Sequence, residues 1–204
     1  MNIAELISCL DDENKLNETL ELIEDIIIDT PDSLTSKLRQ LIAFPEKIEN
    51  TNRFASLLSD LYSEEYIEPL IQTIARANLE EAAWLSDYMY ALGNCLDELD
   101  EAYIPEESFV HLLGDWLLNT NGGEISWKSA IILENLEHPQ CITYYEQGAL
   151  SKGLFHQSRI ACLSGLVNEF GMSKLEVYQE LLKDDDPEVH GAAQSAIKWL
   201  ERNE

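Results

Sequence analysis

The chain has 204 residues, of which 45% are hydrophobic, and this composition is typical of a folded protein and not of a disordered acidic tail. Its 39 acidic residues against 13 lysines and arginines give a formal charge of −26. This charge disfavours binding to nucleic acids and to anionic lipids, because both depend on lysine and arginine. A basic partner would be attracted over a Debye length of about 10 Å, although solubility is an alternative reason for the charge.

Apolar residues recur at helical spacing along the chain, and no stretch alternates with period two for long enough to predict a strand. In the first half, the pattern predicts helices at residues 2–10, 15–29, 31–42, 53–62, 64–76 and 80–96. Pro69 falls inside one of them and should either kink it or mark its true start near Glu68.

In the second half, we predict an acidic loop at 97–107, a turn at 119–123, and helices at 109–117, 126–136, 140–150, 156–170, 175–182 and 187–200. Gly171 suits the left-handed conformation that ends many helices. Ser173 and Glu176 have the spacing of a capping box, and Asp186 before Pro187 is typical of a helix start.

The last helix has an apolar stripe with small residues at Val189, Ala193, Ala196 and Ile197. This stripe resembles the second helix of a HEAT-type repeat, Asp-x-x-Val-Arg-x-x-Ala-x-x-Ala-Leu, with His190 in the usual arginine position. A shift of 31 residues aligns two further copies. The arginine position is then occupied by Lys128, Arg159 and His190. The alanine position is occupied by Ile131, Cys162 and Ala193.

The resemblance is closest over 140–202, extends over 64–136 and is weakest over 1–52. A repeat of this length with one helical hairpin per unit predicts an all-α fold, an α-solenoid of stacked HEAT-like hairpins. We expect one repeat domain over 1–204, in which residues 1–52 form a cap or divergent helices and residues 53–204 form the hairpins.

The four cysteines lie far apart without a CxxC pair, and we expect reduced core residues at Cys9, Cys95, Cys141 and Cys162. Before Lys37 the only basic residue is Lys15, so the basic region of a secretory signal is missing. No apolar run approaches the roughly 20 residues that span a bilayer. These features predict a cytoplasmic protein without membrane contact.

Other residues could form sites. Lys128, Arg159 and His190 could bind an anionic ligand, but internal pairing with carboxylates such as Asp184 to Asp186 is the favoured interpretation. No metal-binding spacing appears among His111, His138, His156 and His190. We therefore predict no metal, no cofactor and no catalytic residue. Helical spacing with aliphatic residues predicts core positions for Trp84, Tyr88, Trp116, Trp127 and Trp199.

The acidic stretch is the strongest candidate for a binding site. No lysine or arginine occurs between Arg76 and Lys128, whereas positions 77–127 hold eleven acids. A solvated loop is one interpretation, and a docking surface for a basic protein is the other, because a cationic partner would relieve the repulsion among like charges. Under the second interpretation, the partner-binding residues are Asp87, Asp97, Glu98, Asp100, Glu101, Tyr103, Glu106 and Glu107.

The resulting hypothesis is a non-catalytic protein-binding module, for example an immunity protein that neutralises a basic nuclease-type toxin. An adaptor or chaperone for another basic protein would have the same features. HEAT-like proteins also include DNA glycosylases, which need a basic concave face that this chain lacks, and lyase-type enzymes with a bound small molecule. A structural oligomer is a further alternative, and the sequence leaves the oligomeric state open.

Overall fold

The computed structural model describes residues 15, 32–45, 48, 51, 54, 58, 63–80, 82–120 and 123–203. The predicted helix at 2–10, nearly all of the one at 15–29 and most of the one at 53–62 lie outside the described residues, as does Cys9. The described residues are helical apart from turns, loops and one isolated β-bridge. The chain divides into two compact units, Met1–Glu101 and Ala102–Glu204.

We number the α-helices of the described residues in chain order. In the first unit they are α1 (Asp32–Ile42), α2 (Ile67–Ala75) and α3 (Leu85–Asp97), and a 3₁₀ helix, Glu64–Tyr66, precedes α2. Both α1 and α3 pack against α2. Fully buried aliphatic side chains fill this core, including Leu34, Leu38, Ile42, Leu70, Ile74 and Leu92. Burial of each such side chain contributes about 1.5–3 kcal/mol, which is what holds these short helices together.

Pro69 marks the start of a helix and does not kink one, which is the second of the two alternatives that the sequence offers. The α-helix begins at Ile67, so Pro69 lies in its first turn, where a backbone N–H has no intrahelical partner to lose. The preceding 3₁₀ turn is capped by Ser63, whose hydroxyl accepts from the backbone N–H of Glu65 at 3.4 Å. The predicted start of the next helix at residue 80 is wrong, because residues 79, 80, 83 and 84 form turns and α3 begins at Leu85.

The second unit contains six α-helices among the described residues: α4 (Glu107–Asn119), α5 (Glu124–Glu134), α6 (Cys141–Leu150), α7 (His156–Phe170), α8 (Leu175–Leu181) and α9 (Pro187–Asn203). Consecutive helices pack as pairs, α4 with α5, α6 with α7, and α8 with α9. In addition, α5, α7 and α9 form one row of neighbours, and α4, α6 and α8 form another. The second unit therefore has two layers of helices.

One predicted helix end agrees with the structure, and a second agrees only in part. Asp186 caps α9, since its carboxylate accepts from the backbone N–H groups of Glu188 at 2.9 Å and Val189 at 3.3 Å. Gly171 follows α7 with a φ of +49°, a backbone conformation that favours glycine, although its ψ of −137° is not that of a left-handed helical turn.

Two predictions in this unit are wrong. Ser173 is not an N-cap, because it lies inside the 3₁₀ helix Gly171–Lys174 and its hydroxyl donates to the carbonyl of Phe170. Trp199 is not a core residue, since 53% of it is exposed. Tyr88 and Trp116 are buried as predicted, whereas Trp84 and Trp127 are half-buried.

Candidate functional site

The arginine position of the repeat holds a buried ion pair in the second unit. Only 3% of the Arg159 side chain is exposed, and its guanidinium donates to both carboxylate oxygens of Asp184. Its Nε donates to the carbonyl of Ala149 at 3.0 Å, so the same side chain joins α6, α7 and the turn before α9. The hydrogen bonds from Arg159 lower the pKa of Asp184 to about 2. Arg159 is thus an internal link, as the favoured sequence interpretation predicts.

The two acids after Asp184 also face Lys152 and His156 of the preceding helix pair. Lys152 Nζ lies 3.2 Å from a carboxylate oxygen of Asp185. His156 lies 4.0 Å from Asp186 and 3.0 Å from the carboxylate of Glu188. Because Lys152 and His156 already have carboxylate partners, the acidic turn before α9 is part of the scaffold that holds one helix pair on the next.

The cysteines of the described residues are unsuited to nucleophilic chemistry. Cys95, Cys141 and Cys162 are free and fully buried. Burial raises the pKa of Cys95 to about 11 and the pKa of Cys141 and of Cys162 to about 12. All three are therefore neutral thiols at physiological pH.

A buried tyrosine and a carboxylate form a polar pair between α6 and α7. The hydroxyl of Tyr145, which is fully buried, donates to Glu169 at 3.3 Å. Burial raises the pKa of Glu169, the hydrogen bond from Tyr145 opposes this shift, and the negative charge of Glu134 adds to it. Glu134 and Glu169 therefore repel each other at the ends of two neighbouring helices.

The histidines have local roles. His138 Nδ1 accepts from the backbone N–H of Gln140 at 3.2 Å, and His156 faces Asp186 and Glu188. Within the described part of the chain, no group of three or more histidine, cysteine or acidic side chains is arranged to hold a metal ion.

The predicted partner-binding residues are divided between the two units. In the first unit, Asp97, Glu98, Asp100 and Glu101 are exposed and follow one another closely. Asp87 is half-buried in the first turn of α3, whereas Asp97 is the last residue of that helix. Ten residues of helix separate them by about 15 Å along the axis. The structure therefore assembles residues 97–101 and leaves Asp87 apart from them.

In the second unit, the segment from Tyr103 to Glu107 is fixed by its backbone. Tyr103 forms a parallel bridge with Leu136, since its N–H donates to Asn135 at 3.4 Å and its carbonyl accepts from the N–H of Glu137 at 2.9 Å. The side chain of Tyr103 is half-buried, and Glu106 and Glu107 are exposed.

The prediction from sequence missed the adjacent residue, Ile104, which is 72% exposed. Its buried neighbour Pro105 and the bridge at Tyr103 hold it at the surface. An isoleucine between two acidic runs, outside any helical repeat of apolar residues, is the signal in the sequence that could have identified it.

Glu107 also belongs to a chain of polar contacts that crosses from α4 to α6. Its carboxylate lies 3.4 Å from Nε2 of His111, whose Nδ1 is 2.7 Å from the hydroxyl of Tyr144. The phenol ring of Tyr144 lies against Gly114, where a Cβ atom would come within 2.2 Å of the ring. Burial raises the pKa of Tyr144, with a further contribution from Asp115. Glu107 is therefore partly a structural residue.

The acidic residues at helix ends affect stability in opposite directions, depending on which end of the helix they occupy. Glu106 and Glu107 start α4, where the helix dipole favours negative charge. Asp97 and Glu98 end α3, where the dipole disfavours it, and the last turn of α3 has no basic residue. The acids at the start of α4 therefore stabilise their helix, whereas those at the end of α3 have no such stabilising effect.

Among the described helices, none is both long and apolar enough to cross a membrane. No protein-family model matches the chain, and no curated protein matches it. A solved structure that resembles it is the crystal structure of an engineered protein, a target of the Northeast Structural Genomics Consortium. The two align over 99% of this chain and 98% of that one, with a TM-score of 0.55 and 15% sequence identity. At this identity the likeness concerns the fold alone.

Proposed function

We propose that the chain is a HEAT-like helical-repeat protein, a solenoid, that binds a basic protein through an acidic surface and has no catalytic activity. The paired helices of the second unit support the repeat assignment, because each pair contacts the next through equivalent helices. The link from Arg159 to Asp184 also supports it, since it joins one pair to the next from the position where HEAT repeats have arginine.

The observation that carries the binding proposal is the exposed Ile104 beside acidic residues. Exposure of 72% of an isoleucine leaves apolar surface in water, which costs about 25 cal/mol per Å². Glu106 and Glu107 follow it in the same unit, and both are exposed. An apolar anchor with a polar rim is the usual composition of a protein-binding surface.

The acids at the end of α3 support the same proposal. Asp97 and Glu98 oppose the helix dipole, so they lower stability in the free protein. Lysines and arginines of a partner would compensate these charges and speed association.

The role that fits a chain of this size and charge is an immunity protein of the cytoplasm that neutralises a nuclease-type toxin. A nuclease binds phosphate groups with lysine and arginine. An acidic protein that covers those side chains would block the nuclease by competing with its substrate.

The test starts with capture on the immobilised full-length chain at low salt, followed by elution at raised salt. We expect one basic protein in the eluate, encoded beside this chain, whose nuclease activity falls as the free chain is added up to equimolar amounts. A captured basic protein without inhibited nuclease activity would contradict the immunity role and favour an adaptor. Elution of no basic protein would contradict the binding proposal itself.

A further inference from the structure

A groove of about 350 Å³ lies in the second unit between α7 and α9. Five of its lining residues are aliphatic, namely Ile160, Leu163, Val167, Ala192 and Ala196. The other four are Ser164, Asn168, Ser195 and Trp199. None of the lining residues is charged, although the chain carries a charge of −26. None of the acidic residues at 97–107 lines the groove.

The lining residues follow helical spacing on both walls. On α9 they are Ala192, Ser195, Ala196 and Trp199, and α7 repeats the same intervals from Ile160 to Val167. Each wall is thus two helical turns long, about 11 Å. Small side chains along α9 allow another helix to approach closely, at the 8–10 Å separation of packed helices.

Trp199 lines the groove and is 53% exposed. A tryptophan offers more apolar surface than any other side chain at this position, and exposed tryptophans are enriched at the centres of protein interfaces. The other tryptophans of this unit, Trp116 and Trp127, are buried and half-buried. Trp199 therefore differs from them in having its ring available to a partner.

Two carboxylates lie near Asn168, at one end of the groove. Asn168 donates to the carboxylate of Glu134 at 2.6 Å, and Glu169 follows it on α7. Burial raises the pKa of Glu169 and the charge of Glu134 adds to this shift, so the two carboxylates repel each other. A lysine or arginine placed here would relieve this repulsion.

The shape of the groove favours a segment of a protein over a small ligand. Pockets for small ligands have volumes of about 300–1,000 Å³ and enclose most of the ligand. This groove is at the lower limit of that range and is open, because Ser164, Asn168, Ser195 and Trp199 are all exposed. An amphipathic helix would bury its apolar face here while its polar face remains in water.

We propose that the groove between α7 and α9 binds a basic amphipathic helix of the partner, with aliphatic side chains between the two helices and a lysine or arginine beside Glu134 and Glu169. This inference deepens the proposed function, on which it rests for the basic character of the partner. The partner would then contact the chain at the acidic residues and, independently, at the groove.

The probes are two amidated peptides of about 18 residues, or five helical turns. One peptide has leucines at helical spacing along one face and lysines along the other face. The second peptide has the same lysines, with serine in place of each leucine. Since both carry the same charge, the ratio of their dissociation constants for the full-length chain reports apolar binding and not general attraction to an acidic protein. We expect the leucine peptide to bind at least about tenfold more tightly, as one buried apolar anchor gives.

Two variants fill the groove from opposite walls, Ser195→Trp on α9 and Ser164→Trp on α7. Both positions are exposed, so the substitutions should not disturb the core. Gln194→Trp is the matched control, because Gln194 is exposed on α9 but does not line the groove. We expect both groove variants to abolish the difference between the peptides and the control to retain it.

A difference that persists in both groove variants would overturn the inference, as would equal binding of a leucine peptide that carries glutamate in place of lysine. These outcomes are distinct from those of the capture experiment. A chain that captures and inhibits a basic nuclease but fails the peptide test retains the proposed function and loses the groove. A chain that passes the peptide test but captures no basic nuclease supports helix binding in the groove and contradicts the proposed function.

Discussion

Arg159 shows at the scale of one residue how a buried charge is tolerated. Its guanidinium has two acceptors, the carboxylate of Asp184 and the carbonyl of Ala149, so the cost of removing it from water is offset. Arg159→Met would leave both acceptors without this donor. We expect the free energy of unfolding to fall by about 3–5 kcal/mol, measured by urea denaturation. Lys152→Met, which removes the exposed pair with Asp185, should cost at most about 1 kcal/mol. Equal losses would contradict the structural role of Arg159.

The same ion pair makes stability depend on pH. The pKa of Asp184 is lowered from 3.8 to about 2 in the folded chain. Its contribution is therefore fully present above pH 3.8 and is lost as the pH falls through about 2. In the Arg159→Met variant, this part of the acid dependence should disappear, which urea titrations at several pH values would measure. An unchanged pH profile would show that Asp184 does not couple to Arg159.

Ile104 is the residue for which binding and stability should separate most clearly. Because 72% of it is exposed, Ile104→Ser should change the free energy of unfolding by no more than about 0.5 kcal/mol. Loss of an apolar anchor should weaken binding of the basic partner about tenfold, measured by calorimetry. Leu150→Ser is the control, because Leu150 is another exposed aliphatic residue, at the end of α6. A partner affinity that Ile104→Ser leaves unchanged would remove Ile104 from the binding surface.

At the scale of one element, the ends of α3 and α4 offer a direct comparison. Asp97→Asn at the end of α3 should raise the free energy of unfolding by about 0.3–1 kcal/mol, because it removes a charge that the helix dipole disfavours. Glu106→Gln at the start of α4 should lower it by a similar amount. Both effects should vanish in about 1 M salt, where the Debye length is about 3 Å. Destabilisation by Asp97→Asn would show that this acid has a structural role.

Helical periodicity predicted most of the elements, because amphipathic stripes and caps such as Asp186 are local features of the sequence. It failed where turns compete with helix, as at Asn78, whose side chain accepts from the N–H of Glu80. Helical spacing also cannot distinguish the face of a helix that meets the core from one left in water, which is why Trp199 was misassigned. The pairing of Tyr103 with Leu136 joins residues 33 positions apart, so it could not be predicted from local patterns.

At the scale of the whole molecule, the charge of −26 and the location of individual acids make separate contributions to binding. Net charge attracts any cationic protein and is screened by salt. Acids that touch the partner give specificity, because their removal affects one interface and leaves the general attraction unchanged. The central claim, that the acids at 97–101 are such contact residues, therefore requires variants that have the same net charge.

The measurement that tests this claim most directly compares the dissociation constants of the captured partner for two double variants and the unmodified chain at low salt. Glu98→Lys/Glu101→Lys changes the predicted contact residues, and Glu176→Lys/Glu201→Lys makes the same change in charge at exposed positions of α8 and α9. The account predicts that the first variant binds at least about tenfold more weakly than the second, which remains close to the unmodified chain. Equal weakening by both variants would contradict it, since general attraction to an acidic protein would then explain the binding.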